Sequence, residues 1–122
     1  RILSTCPELN RVLHLYSQLV FETVAQSTAC NRLHEIENRC ARWLLMSHDR
    51  VGRDSFDLTH EFLSQMLGVR RAGVTVAIGM LERQGLLSHT RGNITIVDRA
   101  GLEKASCECY GAVQRREAAI LC

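Results

Sequence analysis

The sequence lacks several features that would place it in other classes of protein. No apolar run approaches the roughly 18 residues that a membrane span needs, and no secretory signal is visible. Internal repeats, low-complexity segments and phosphate-binding loop motifs are also absent. Because 46% of the 122 residues are hydrophobic and 23% are charged, we expect one globular domain with its own core, located in the cytoplasm and not bound to a membrane.

The excess of positive charge is small, and its position is more informative than its size. A net charge of +2 does not by itself indicate a polyanionic partner. Between Leu58 and Val97, however, the sequence has four arginines and only two glutamates, a local charge of +2 before histidines are counted. The sequence begins at Arg1 rather than at a methionine, so we expect it to be part of a longer protein.

The six cysteines do not have the spacing of a secreted disulfide framework, so we expect reduced thiols. Cys107 and Cys109 could bind a metal only with two further ligands. Cys30 and His34 lie one helical turn apart and could share a metal, but chance placement on a helix is the preferred interpretation. A redox or metal enzyme built on Cys107, Cys109 and Cys122 would lack a paired base. We therefore predict neither a metal site nor an enzyme.

The segment from Asp57 to Glu82 predicts two short helices joined by a tight turn. Thr59 is a suitable N-cap for the first helix, and Gly68 can adopt the left-handed conformation that ends it. An apolar pattern then marks one face of a second helix, over about residues 70–84, through Val69, Val74, Ile78 and Leu81. Two helices joined in this way form a helix-turn-helix unit.

The opposite face of the second helix has small side chains with arginine at its N-terminal end. It carries Arg71, Ala72, Thr75, Val76 and Gly79, and Arg70 precedes it. A helix of this shape suits the major groove of DNA, where an arginine can pair with guanine O6 and N7. The alternative is the solvated face of an ordinary helix pair.

The stretch from Leu86 to Val97 predicts a β-hairpin with its turn at Arg91-Gly92-Asn93. A helix-turn-helix followed directly by such a hairpin is a winged helix, and Arg91 would lie at the wing tip, within reach of a phosphate or the minor groove. A short strand is expected from Ser55 to Leu58. Asp98 is expected to cap a final helix, and the end of the chain from Arg115 is expected to be frayed.

A long amphipathic helix is predicted to begin at Pro7. Its narrow apolar stripe comprises Leu9, Val12, Leu13, Tyr16, Leu19, Val20 and Val24. Such a stripe could pair with a second copy in a coiled coil or pack on an upstream domain. Ser, Thr and Asn residues predict a bend or a change of helix over residues 26–31. This divides the chain into a dimerisation helix, 1–28, and a winged-helix domain, 29–122. The next helix is expected to end near His48 and to bury Leu33, Ile36, Cys40, Trp43 and Leu44.

Four stretches follow one another along the chain: Arg39-Cys-Ala-Arg-Trp-Leu-Leu45, Leu58-Thr-x-x-x-Leu-x-x-x-Leu-Gly68, Val74 to Gly85 with the ending Met80-Leu-Glu-Arg-Gln-Gly-Leu-Leu87, and Gly92-Asn-Ile-Thr-Ile-Val-Asp-Arg-x-Gly-Leu-Glu103. In this order they are similar to the Crp/Fnr family of bacterial transcription regulators. The resemblance covers about residues 8 to 110. It implies a mainly α winged helix-turn-helix with a small β-hairpin wing, preceded by a long dimerisation helix.

The same resemblance implies a homodimer on a palindromic DNA operator, with RNA polymerase as a further candidate partner. It implies that two copies contact each other through most of the apolar stripe. These residues are Leu9, Val12, Leu13, Tyr16, Leu19 and Val20. No cofactor is expected in these 122 residues, whereas an upstream sensor domain would bind a cyclic nucleotide or another effector. The family's four-cysteine iron–sulfur motif is absent, since Cys6 alone does not make one.

The recognition helix departs from the family pattern. Arg71 retains a guanine-reading arginine, but Ala72 replaces a glutamate and Val76 replaces a second arginine, so both could instead contact thymine methyl groups. The residues that we predict to read bases are Arg71, Ala72, Thr75 and Val76. Those predicted to contact the DNA backbone are Thr59, His60, Arg70, Gly73 and Arg91. Because the exposed face has become apolar at two positions, a winged-helix protein-interaction module that has lost DNA binding is the alternative function.

Overall fold

The computed structural model describes residues 2 to 121, and these form a mainly α winged helix-turn-helix with one small antiparallel sheet. The helices are α1 (Ile2–Thr5), α2 (Pro7–Leu33), α3 (Ile36–Val51), α4 (His60–Leu67), α5 (Arg71–Arg83), α6 (Arg99–Ala105) and α7 (Glu108–Leu121). The strands are β1 (Ser55–Asp57), β2 (Leu87–Thr90) and β3 (Asn93–Ile96), with β3 in the centre. Cys122, considered above as part of a redox site, lies outside the described residues.

The long N-terminal helix begins with Pro7 in its first turn, as predicted, but it continues as one helix through residues 26–31, where a bend or a change of helix was predicted. That prediction was wrong because the polar side chains there find partners that are compatible with a helix. The hydroxyl of Thr28 donates to the carbonyl of Val24 at 2.9 Å, one turn back, and the hydroxyl of Ser27 accepts from Arg42 Nη2 at 3.0 Å. The chain leaves the helix at His34, whose backbone is extended at φ −117° and ψ 152°.

Helix α3 contributes a large part of the hydrophobic core. Cys40, Ala41, Leu44 and Leu45 are fully buried, and Ile36 and Trp43 pack partly buried against them. Leu33 was predicted to belong to this helix but is the last residue of α2 and is 74% exposed, because the extended residue His34 separates the two helices. The helix also runs one turn past the predicted end at His48, to Val51, and Gly52 closes it with φ 74°.

The helix-turn-helix is formed by the local chemistry that the sequence indicated. Thr59 Oγ1 accepts from the backbone N–H of Phe62 at 3.1 Å, which satisfies one of the unpaired amides at the start of α4. Gly68 ends α4 in the left-handed conformation, at φ 66° and ψ 35°. In α5, the residues that pack against α3 and α4 are buried, namely Val74, Ala77, Ile78 and Leu81.

The predicted hairpin is present, and the short strand β1 completes it as a third strand. Phe56 pairs with Ile94 across β1 and β3, and Leu87 pairs with Ile96 across β2 and β3. These four apolar side chains are buried, so one face of the sheet closes the core. Within the part of the chain that the structure describes, no helix combines the length and hydrophobicity that crossing a membrane would require.

The C-terminal helix packs along α2. Arg116 Nη1 donates to Gln26 Oε1 of α2 at 2.9 Å, and Tyr110 and Val113 are buried. The expectation of a frayed end from Arg115 was wrong because α2 gives this helix a partner, and the helix continues to Leu121.

Candidate nucleic-acid interface

The outer face of α5 is a surface of four side chains, Arg71, Ala72, Thr75 and Val76, which we call the recognition face. All four are exposed, and Val76 is 60% exposed although it is apolar. The opposite side of the same helix is buried on α3 and α4. The recognition face is therefore held outward by a packed core rather than by a flexible loop.

The N-terminal end of α5 combines two cations with the positive end of a helix dipole. Arg70 is the N-cap residue and Arg71 the first helical residue, so the helix starts one residue later than the predicted 70–84. No side chain caps the first turn, and no acidic residue lies in it. An approaching anion would meet both guanidinium groups at the positive end of the helix dipole.

A cluster of three side chains joins the recognition face to α4 and to the wing. Thr75 Oγ1 donates to the carbonyl of Arg71 at 3.1 Å and lies 3.0 Å from His60 Nδ1. Because the hydroxyl proton is directed to that carbonyl, His60 Nδ1 is the donor in the second contact. The His60 ring also lies 5.4 Å from the ring of His89 on β2.

The electrostatic surroundings of His60 favour its neutral form. Partial burial lowers the pKa of His60 from its usual value of 6.5, and the nearby His89 and Arg71 lower this pKa further. His89 is fixed by Glu82, whose carboxylate accepts from the His89 backbone N–H at 3.1 Å and lies 3.1 Å from His89 Nδ1. His89 was not among the predicted site residues, since no local sequence signal links a strand residue to the start of α4.

The wing tip lies beside the start of α4. Arg91 is exposed in the turn between β2 and β3, and the carbonyl of Gly92 accepts from the Leu58 N–H at 2.7 Å. Gly92 has φ 67°, and a side chain there would lie 3.7 Å from Thr59 Cγ2. The structure therefore brings Thr59, His60 and Arg91 to one side of the domain.

Gly73 is placed differently from the other predicted backbone contacts. A side chain at this position would point towards Ile36 on α3, at 3.7 Å, and the Gly73 N–H already donates to the carbonyl of Arg70 at 2.9 Å. Its role at a DNA backbone stays a prediction and has less geometric support than those of Arg70, Thr59 and Arg91.

Most of the predicted dimerisation stripe on α2 is exposed. Leu9, Val12, Leu13, Tyr16 and Val20 are between 39% and 56% exposed, whereas Leu19 is only 8% exposed. Leu19 thus belongs to the buried residues of its own chain and is not free to contact a partner. The other five side chains form what we call the α2 stripe.

The structure also brings together cysteines that are distant in sequence. Cys30, His34, Cys107 and Cys109 place their ligand atoms within 4.8 Å of one another. From the sequence, Cys107 and Cys109 lacked the two further ligands that a metal site needs. Cys30 and His34 were interpreted as neighbours on a helix by chance. The two pairs are neighbours because α2 and α7 pack side by side.

Comparison with protein families gives one match, to the Crp-like helix-turn-helix domain over residues 38–105. This range runs from α3 to the end of α6 and so contains the recognition face and the wing. No curated protein sequence gives a significant match to the chain.

Solved structures of similar fold include three bacterial proteins. A candidate transcriptional regulator of the Crp/Fnr family from Eubacterium rectale is 24% identical, with a TM-score of 0.69 over 85% of this chain and 48% of that one. A Crp/Fnr-family regulator from Thermus thermophilus is 25% identical, with a TM-score of 0.64 over 83% and 55%. A second regulator from that organism, of the CRP family, is 24% identical, with a TM-score of 0.62 over 70% and 47%. The chain spans about half the length of these proteins.

Proposed function

This chain belongs to the Crp-like helix-turn-helix family, and on that basis we propose that it is a transcription regulator that binds double-stranded DNA sequence-specifically. The observation that carries the proposal is the recognition face, which is exposed while the rest of α5 is held by the core. Thirteen helical residues extend about 20 Å, and a helix with its side chains, about 10–12 Å across, fits the major groove.

Within the recognition face, we assign base reading to Arg71 first. Its guanidinium would donate to O6 and N7 of a guanine. Ala72 and Val76 would make apolar contacts with thymine methyl groups. Because the Thr75 hydroxyl is already bonded to the Arg71 carbonyl and to His60, Thr75 would contribute its methyl group.

The backbone contacts would come from three elements around this helix. Arg70 at the start of α5 and Arg91 at the wing tip supply charge, and Thr59 supplies a hydroxyl. Thr59 Oγ1 accepts from the Phe62 N–H, which leaves its own proton available for a phosphate oxygen. His60 would donate through its second nitrogen, Nε2, only when protonated, because Nδ1 holds the proton in the neutral ring.

The α2 stripe would hold two copies of the chain together. Its five apolar side chains are half exposed on a helix of 27 residues, and burying them against a second copy removes apolar surface from water. Tyr16→Glu should shift sedimentation equilibrium towards monomer, whereas Gln18→Glu, an exposed position on the opposite side of the same helix, should not. Equal effects from both substitutions would contradict the assignment.

Base reading can be tested by selecting binding sites from randomised duplex DNA and comparing two arginine substitutions on α5. Arg71→Ala should cost about 1–3 kcal/mol on the preferred site and relax selection at one base position per half-site. Arg83→Ala is the matched control, because Arg83 is exposed about 18 Å further along the same helix. If the two variants select the same sequences as the unmodified chain, the base-reading role of Arg71 fails.

Backbone contacts have a different signature. Arg91→Ala should weaken binding to all sequences to a similar extent and reduce the slope of log K against log salt by about 1 per contact removed. Selective loss on one sequence would instead assign Arg91 to base reading.

A second candidate function has one observation in its favour. Val76 and Ala72 are apolar and exposed where the family pattern has charged residues, so the recognition face could contact a protein instead of DNA. Absence of measurable DNA affinity even at low salt, together with a stable complex that Val76→Glu disrupts, would favour this function over DNA binding.

A further inference from the structure

Four potential metal ligands meet where the C-terminal end of α2 packs on the start of α7. Cys30 lies in the last turn of α2 and His34 is the residue that ends it. Cys107 lies in the link between α6 and α7, and Cys109 lies in the first turn of α7. Three of these residues form a buried cluster separate from the main core, with exposures of 0% for Cys30, 8% for Cys107 and 1% for Cys109.

Two distances between these ligand atoms are close to the edge length of a coordination tetrahedron around one ion. Cys30 Sγ lies 3.4 Å from Cys107 Sγ, and Cys109 Sγ lies 3.6 Å from His34 Nδ1. Zinc bonds of about 2.3 Å to sulfur and about 2.0 Å to nitrogen require ligand atoms about 3.5–3.8 Å apart in tetrahedral geometry. We propose that Cys30, His34, Cys107 and Cys109, the Cys3His cluster, bind one zinc ion that joins α2 to α7.

The groups around the cluster suit a bound zinc ion. Glu108 Oε1 lies 3.2 Å from His34 Nε2, so a carboxylate holds the histidine with its other nitrogen, Nδ1, towards the sulfur atoms. Gln26 Nε2 lies 3.1 Å from Cys109 Sγ and can donate to a thiolate there. Gln26 in turn accepts from Arg116 at 2.9 Å, which places a positive charge behind a site whose three thiolates exceed the charge of zinc by one.

Four protein ligands leave no open position for a water molecule, so the proposed site is structural rather than catalytic. A four-iron cluster fits poorly, because several metal ions and their sulfides cannot lie between ligand atoms that are all within 4.8 Å of one another. A disulfide between Cys30 and Cys107 would account for only two of the four groups.

The proposal can be tested on the chain purified without a histidine tag in the presence of a non-thiol reductant. Elemental analysis should find one zinc per chain, and replacement by cobalt(II) should give the absorption bands of a tetrahedral site with sulfur ligands. Cys30→Ser and Cys107→Ser should each reduce zinc affinity by more than 100-fold. Cys40→Ser and Cys6→Ser are the controls, one buried in the main core and one exposed, and both should retain one zinc.

Two further variants separate loss of metal from loss of folding. His34→Gln changes a residue at the helix end whose side chain is 19% exposed, so far-UV circular dichroism should stay unchanged while zinc affinity falls. Glu108→Gln removes the outer carboxylate and should weaken zinc by about 10–100-fold. The proposal is overturned if the reduced chain takes up no zinc, if iron is found in its place, if Cys30 and Cys107 are isolated as a disulfide, or if Cys30→Ser binds zinc normally.

Discussion

At Gly101, the backbone of α6 lies so close to Leu86 and Asp98 that only glycine fits without a shift of these neighbours. A side chain there would overlap Leu86 Cδ2 and would lie 2.6 Å from Asp98 Oδ2. Leu86 is buried, and its carbonyl accepts from the N–H groups of Val97 and Asp98, both at 3.0 Å. Asp98 caps α6 by accepting from the Gly101 N–H at 3.0 Å. Neither neighbour can move without losing packing or a hydrogen bond.

We therefore predict that Gly101→Ala lowers the free energy of unfolding by about 1–3 kcal/mol. Forcing a methyl group into this contact costs about 1–3 kcal/mol, and loss of the Asp98 cap costs about 1 kcal/mol more. The higher helix propensity of alanine offsets this destabilisation by up to about 1 kcal/mol. Urea unfolding followed by circular dichroism gives the free energy directly, if the slope of the transition is unchanged.

Gly79→Ala is the matched control for this substitution. Gly79 lies inside α5, and a side chain there would meet only Arg83 Nη1, at 3.6 Å, which is an ordinary contact. Alanine at this position should therefore stabilise the chain by up to about 1 kcal/mol through helix propensity alone. If the two substitutions change stability in the same direction, the close packing of α6 on Leu86 is refuted.

Four further outcomes follow from the geometry. Because the folded state lowers the pKa of His60, the unfolded chain takes up this proton first as the pH falls below 6.5. The free energy of unfolding should therefore decrease in that range. Urea unfolding at pH 7.5 and 5.5 measures the decrease, which should be smaller in His60→Gln. Addition of DNA should raise the pKa of His60, measured by NMR of its ring protons, if a phosphate contacts it; an unchanged pKa would remove His60 from the interface. Thr59→Ala should cost about 1 kcal/mol of stability through the lost cap on Phe62, whereas Val76→Arg should leave stability unchanged within about 0.5 kcal/mol and alter the selected DNA sequence.

The helix-turn-helix could be predicted from sequence because each of its signals is local. The cap at Thr59 and the left-handed end at Gly68 act within a few residues, and both have the predicted conformations. The apolar pattern of Val74, Ile78 and Leu81 likewise requires only the period of one helix, and the structure confirms it.

The errors concern features that depend on distant partners. Residues 26–31 have low helix propensity, but Ser27 is bonded by Arg42 of α3, and α2 stays helical. The proximity of His60 and His89 arises because α4 and β2 both pack against α5, which no local pattern encodes. The sulfur atoms of Cys30 and Cys107 come from residues 77 positions apart, so their meeting requires the whole path of the chain between them.

The proposed dimer contacts and the proposed zinc site both involve α2. The α2 stripe lies in the N-terminal and middle turns of this helix, whereas Cys30 and His34 lie at its C-terminal end, immediately before the break that leads to the winged-helix part. In a dimer held by the stripe, the angle between α2 and the rest of each chain would set the distance between the two recognition faces. Two half-sites of a duplex require these faces about 34 Å apart or a multiple of this distance. A zinc ion that joins α2 to α7 would fix this angle, so removal of zinc should weaken binding to a palindromic site more than binding to an isolated half-site.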